Sequence, residues 1–323
     1  MVALRRFDKE NVTMQMLLLG AGASVPAGMP TSKGLQGLIR DQLDNESDLL
    51  AEWDRVGKLL GVDDDLENRM EYLFNLEMAA RTPQSLETPL AERLRTSVNN
   101  ILARTLEFKG DSSKLAYLDP VMRLAREQEG LVIATLNFDD VIERACDKNG
   151  ITWSHGVKNG GAELDFQSAT VHLLKLHGST RWVSLIGKET GELFAIEFDV
   201  DFSYPEDSTW DKRAMLIGRP KLVYNYPFPQ LLARFGEDLL RHDKVTVIGY
   251  SFRDDHVNEM LRLWLKSRRN VLLTIVNPDW PVGKDPFERR SLRLVRNPPQ
   301  NKRIRFISKG CEDALPGLFL QNR

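Results

Sequence analysis

Short runs of Val, Ile and Leu recur along the chain, and each ends in Gly, Asn or His. Met14–Leu19 runs into Gly20, Leu131–Ala134 into Thr135-Leu136-Asn137, and Val171–Leu176 into His177-Gly178. Val245–Ile248 ends at Gly249, Val271–Val276 at Asn277-Pro278, and Ile304–Ile307 is soon followed by Gly310. These runs are apolar on consecutive positions, so both faces are buried, which predicts strands of a mainly parallel sheet. Helical periodicity lies between or after them, at Asp139–Lys148, Asp254–Leu265, Pro286–Val295 and Glu312–Leu320. Strands alternating with helices predict a doubly wound α/β fold. Between the first two strands, residues 35–130 read as almost wholly helical, with candidates at Leu35–Leu43, Leu66–Ala80, Leu86–Phe108 and Leu115–Gln128. A helical insertion after the first strand, inside a single domain spanning 1–323, accounts for them. Residues 180–230, richer in Gly, Pro and aromatics, predict irregular structure with a few short strands.

Composition narrows the class. The 323 residues are 42% hydrophobic, enough for a core that needs neither disulfides nor a metal. Cys146 and Cys311 stand far apart in no Cys/His cluster, which argues against a zinc site and suits a reducing compartment. The net charge of −2 argues against a dedicated nucleic-acid binder, yet it hides an asymmetry. Residues 44–77 carry 11 acidic and 3 basic side chains, and residues 262–309 carry 13 basic and 3 acidic. The uncharged stretch Asn11–Ser32 contains glycines and prolines around a short apolar core, too little for a spanning helix. Arg5 and Arg6 mimic the start of a signal peptide, but Asp8 and Glu10 interrupt it. The expectation is a cytoplasmic protein with no direct membrane contact.

In open α/β sheets ligands bind beyond the carboxyl ends of the strands. Polar and glycine residues collect there: Gly20-Ala21-Gly22-Ala23-Ser24, Asn137 and Asp139, His177, Gly249-Tyr250-Ser251, and Asn277. Close glycines after a strand let backbone approach a pyrophosphate, although GxGxxG fails at Val25 and no GK[ST] follows. A tight strand-to-helix turn explains the same loop equally well. Asn137 and Asp139 can serve as helix caps, but one cap suffices. His177 beside Gly178 is a candidate for acid/base work, whereas His172 points to the opposite face. GxSxG fails at Arg253, which leaves Ser251 as a phosphate or ribose contact. Asp254, Asp255 and His256 read as capping residues at a helix start.

Taken together, these residues resemble the sirtuin (SIR2) superfamily, and more closely its bacterial SIR2-like branch, whose fold is Rossmann-like. Gly20–Ser24 with Gly28-Met29-Pro30 is similar to the sirtuin GAGxS…GIP segment, Thr135–Asp139 to TxNxD, and Lys175–Ser179 to the segment carrying the catalytic histidine. Gly249-Tyr250-Ser251, Asn277 and Lys309-Gly310-Cys311 follow in the family's order. The resemblance implies Asn137 and His177 as catalytic residues. It implies Gly20, Ala21, Gly22, Ser24, Asp139, Gly249, Ser251, Asn277 and Cys311 as contacts to NAD⁺, bound as substrate with no metal. Departures point away from the protein deacylases of the superfamily. Thr31-Ser32 follows the first motif where those enzymes carry Asp-Phe-Arg, and no cysteine lies between 146 and 311 to form their zinc ribbon. The stretch Tyr250–Asn258 is instead typical of SIR2-like proteins in bacterial anti-phage defence, many of which hydrolyse NAD⁺ to nicotinamide and ADP-ribose. An NAD⁺ hydrolase acting in abortive infection is therefore the expectation, with a deacylase or a non-catalytic NAD/ADP-ribose-binding module as alternatives. Control is expected through a homo-oligomer and a separately encoded sensor or activator, an ATPase or Argonaute-like protein. Nucleic acid would enter only through such a partner.

Overall fold

A computed structural model describes residues 14–80, 90–157, 163–187, 193–197, 208–217, 226–278 and 303–319. All six apolar runs are strands of one sheet: β1 (Gln15–Leu19), β2 (Leu131–Thr135), β4 (Val171–Lys175), β8 (Lys244–Ile248), β9 (Leu272–Val276) and β10 (Ile304–Ile307). A two-residue edge strand, β3 (Trp153–Ser154), completes a parallel sheet of order β10-β9-β8-β1-β2-β4-β3. The chain builds outward from central β1 through β2 and β4, then returns to the other side of β1 for β8, β9 and β10. This doubly wound order puts every carboxyl end on one edge and a reversal of strand order beside β1, where ligands bind in such sheets.

Side chains alternate across the sheet with period two. Met16 and Leu18 enter one core with Val132, Ala134, Val245 and Val247, while Leu17 and Leu19 enter the other with Leu131, Ile133 and Ile248. The first core is closed by α7 (Phe228–Arg241) and α8 (Asp255–Ser267), through Leu231, Phe235, Leu261 and Trp264. The second is closed by α5 (Asp119–Glu127), α6 (Val141–Lys148) and α9 (Cys311–Leu318), through Val121, Met122, Ile142 and Leu315. Four helices, α1 (Ser32–Gln42), α2 (Ser47–Leu60), α3 (Leu66–Ala80) and α4 (Leu90–Thr105), gather a third hydrophobic cluster of their own around Trp53, Leu73, Leu94 and Val98. Residues 112–127, by contrast, pack on the sheet through Leu115, Leu118 and Val121.

The region expected to be largely irregular contains an antiparallel sheet of order β6-β5-β7, formed by β5 (Gly178–Gly187), β6 (Leu193–Glu197) and β7 (Ser208–Met215). Helix α2 falls within residues 35–130, read as almost wholly helical, but between its named candidates; α7 lies outside the expected ranges, and the expected helix Pro286–Val295 lies outside the described residues. No helix among the described residues is long and apolar enough to cross a membrane.

Candidate functional site

The loop after β1 makes two short 3-10 turns, Ala21–Ala23 and Val25–Ala27, where the turn into a helix was expected. Its glycines are there for contact with the end of β8. A Cβ on Gly20 would stand 2.6 Å from Tyr250 Cα, and one on Gly22 would stand 2.8 Å from Gly249 Cα. Gly249 itself has φ 63°, in the left-handed region that costs a β-carbon dearly. The amides are largely engaged within this packing: Gly22 N–H donates to Gly249 O at 2.9 Å, Ala23 N–H to Gly20 O and Ser24 N–H to Ala21 O. The loop therefore offers close backbone approach, with Ala21 exposed, more than an array of N–H donors.

The two polar residues after β2 take different tasks. Asp139 Oδ1 accepts from Val141 N–H at 3.1 Å at the start of α6. Asn137 faces the glycine loop, and its Nδ2 donates to Gly20 O and to Ser24 Oγ, each at 3.0 Å. Ser24 also bonds the Asp139 side chain, so one buried hydroxyl joins both residues to the loop. Burial pushes the Asp139 carboxyl up to about 6, against the opposing pull of Lys175 and of the hydrogen bonds from Ser24 and Val141.

β4 ends at Lys175, and His177 follows in the turn to β5, where Gly178 adopts φ 94°. Leu216 N–H donates to His177 O at 2.8 Å and Thr180 N–H to Phe138 O at 3.0 Å, so the antiparallel sheet grips both flanks of the turn. His172 lies elsewhere, stacked on Phe166 with Nδ1 3.3 Å from Arg234. Beneath His177, Lys175 is fully buried, its ammonium 2.8 Å from Glu143 Oε1 and also bonded to the Asp139 carbonyl. His155 Nε2 approaches the same Glu143 oxygen at 3.1 Å. Burial pushes the Glu143 carboxyl up, but the Lys175 charge and His155 more than reverse this and hold it at about 2.

The remaining residues singled out in the sequence fall on the same edge. Ser251 is exposed beyond β8. Asn277 Nδ2 reaches Tyr250 O at 3.5 Å, and its N–H donates to Ile307 O. Cys311 opens α9, with Sγ 3.5 Å from Ala23 O, which also accepts from Tyr117 Oη at 2.7 Å. Burial pushes both thiols, Cys146 and Cys311, up to about 12, so neither is a ready nucleophile or metal ligand.

Sequence reasoning missed two parts of this edge. Lys175, Glu143 and His155 form a buried ionic cluster under the His177 turn. Asp254, read as a cap, lies between His177 and His256: Oδ2 is 2.8 Å from His177 Nε2 and Oδ1 is 2.7 Å from His256 Nδ1. An Asp-x-His just past a strand end was the available signal. These three residues bring ligand-type atoms within 4.8 Å of one another, as a cation site would. Their N···O separations of 2.8 and 2.7 Å are those of close ion pairs, shorter than the ~3.4 Å between two ligands of a tetrahedral metal with bonds of ~2.1 Å.

A family model described as a SIR2-like domain matches residues 131–295, just over half of the chain. Similar solved structures include a Sir2 homolog in complex with NAD, 16% identical, with 94% of this chain and 86% of that chain covered and a TM-score of 0.44. Another is a mutant Sir2 homologue in complex with 2′-O-acetyl ADP ribose, 17% identical, with 94% and 88% covered and a TM-score of 0.49. No curated protein matches significantly.

Proposed function

This chain belongs to the SIR2-like family, and we propose that it hydrolyses NAD⁺ to nicotinamide and ADP-ribose. The observation that carries the reading is the attachment of Asn137 to Gly20 and Ser24 at the strand-order reversal, with His177 at the end of β4, on the far side of β2. The dinucleotide would lie along the carboxyl edge. Gly20, Ala21, Gly22, Ser24, Gly249 and Ser251 would line its pyrophosphate, Asn277 and Cys311 its adenosine end, and Asp139 the nicotinamide carboxamide. The C1′–N bond breaks with its electron pair going to the nicotinamide nitrogen. Water forms the new C1′–O bond, oriented by Asn137, and its proton passes to His177 and then to solvent. Water is the nucleophile in this reading because the chain has no cysteines between 146 and 311 for a zinc ribbon, a departure from the deacylase pattern. The metal-free reaction is part of the same proposal.

In this reading the protein is an effector of anti-phage defence in the cytoplasm, held silent until self-assembly or a separately encoded sensor such as an ATPase or Argonaute-like protein releases it. The test is incubation with NAD⁺ alone across a range of protein concentrations, with nicotinamide measured. Release without any acylated peptide is expected, rising faster than protein concentration. Release only with an acyl-lysine peptide would make the protein a deacylase, and binding without release would make it a nucleotide-binding module. Asn137→Ala and His177→Ala should each lower turnover by about 10²–10⁴-fold while unfolding as cooperatively as the parent. Full activity in either variant would overturn the assignment.

A further inference from the structure

An aspartate at the amino end of a helix ordinarily accepts hydrogen bonds from the first-turn amides. Asp254 occupies that position on α8 and makes no side-chain cap bond. Its two oxygens are directed to His177 Nε2 and His256 Nδ1, at 2.8 and 2.7 Å, and the residue is buried. The backbone is held for this arrangement. Asp254 N–H donates to Tyr250 Oη at 3.2 Å, Tyr250 Oη donates to Asn258 Oδ1 at 3.0 Å, and Asn258 Nδ2 donates to Phe252 O at 2.8 Å. Phe252 adopts φ 54°, and its fully buried ring fixes the turn in the main core. A left-handed non-glycine residue persists only where its surroundings enforce it.

We propose that Asp254 is a positioning residue of the reaction at His177. At N···O separations of 2.8 and 2.7 Å, an ionised carboxylate, which only accepts, calls for a proton on each facing ring nitrogen. Neutral His177 is then the Nε2-protonated tautomer, with its lone pair on Nδ1, and the carboxylate charge faces the imidazolium that forms when the ring takes a proton from water. The carboxylate itself stays ionised, as in other aspartate–histidine pairs. His256 Nδ1 stands 2.7 Å from the other Asp254 oxygen and backs the carboxylate from the half-exposed side. The reaction concerned rests on the NAD⁺-hydrolysis reading; the contact and tautomer do not.

Asp254→Asn tests both. In the parent, ¹⁵N-detected NMR of the imidazoles should find His177 protonated at Nε2, and the variant should shift it toward the other tautomer. With NAD⁺, the variant should lose about 10²–10⁴-fold in kcat with KM within about threefold, and its melting temperature should stay close to the parent's. In a His177→Ala background the same change should cost less than about twofold, because coupled residues are not additive. His256→Ala, which leaves the Asp254–His177 contact, should cost less than tenfold in kcat. A parent His177 protonated at Nδ1, or an equal loss with and without His177, would overturn the proposal. So would activity lost to a chelator and restored by Zn²⁺, which would make the three residues metal ligands. If the parent releases no nicotinamide, the hydrolysis reading fails, and the NMR result alone decides the contact.

Discussion

Lys175 is the most demanding residue of the site, because a fully buried ammonium persists only where charge and hydrogen bonds replace water. Glu143 supplies the charge, and the carbonyls of Phe138 and Asp139 supply acceptors. The lysine thus fastens the loop carrying Asn137 and Asp139 to the strand that leads to His177. Lys175→Ala should cost about 3–5 kcal/mol of stability, since it leaves Glu143 buried without its main counter-charge. Urea unfolding measures this, and combining it with Glu143→Gln should recover much of the loss. At this scale the sequence was legible where polar and glycine residues follow a strand end: these residues, with Cys311 from the resemblance, lie along one edge. Lys175 and Glu143 were not legible as a pair, because the partners lie 32 positions apart on a strand and a helix. Asp254 was seen but assigned the ordinary work of its position.

Among the elements, the six parallel strands were visible because burial on both faces leaves an uninterrupted apolar run. Helix α7 lies outside the expected ranges and α2 falls between the named candidates of a stretch read as helical; each carries an internal glycine with a tertiary reason. In α2, a Cβ on Gly57 would stand 2.1 Å from the Arg69 guanidinium, which packs over Trp53. In α7, Gly236 makes room for Met260 of α8. The contact between the β1 loop and the end of β8 is backbone on backbone, so it has no side-chain signature beyond the glycines themselves. It is also the least tolerant part of the edge. Gly249→Ala would place its Cβ 2.3 Å from Ala23 N at a left-handed φ. A loss of about 1–3 kcal/mol is expected, together with weaker binding of ADP-ribose by calorimetry. Unchanged affinity would show that the loop approach does not shape the nucleotide site.

For the whole molecule, the charge asymmetry is partly resolved inside the helical cluster. Asp48, Asp54, Asp64 and Glu77 pair with Arg93, Arg40, Arg69 and Arg95, so part of the acidic stretch is answered by arginines of α1, α3 and α4. Asp65 lies 3.7 Å from Arg253, next to Asp254. Asp139 should contribute to the pH response of stability between about pH 4 and 8, whereas Glu143, held at about 2, contributes below its ordinary 4.5. The Asp139 carboxyl is raised from 3.8 to about 6 by burial, so the folded state holds this proton more tightly than the unfolded chain. The associated stability is fully present below pH 3.8 and is lost as pH rises through 6. Asp139→Asn should therefore gain melting temperature relative to the parent at pH 8 more than at pH 5, measured by scanning calorimetry. An equal difference at both pH values would place the ionisation elsewhere.

The winding of the sheet has a temporal consequence. The edge is assembled from the loop at Gly20–Ser24, the ends of β2 and β4, the turn at Gly249–Asp254, and Cys311 at the head of α9, whose thiol closes on the carbonyl of Ala23. Segments 288 positions apart are thus direct neighbours beside the central strand. The crevice therefore cannot assemble until the residues around 311 have been made, however early its first loop is synthesised.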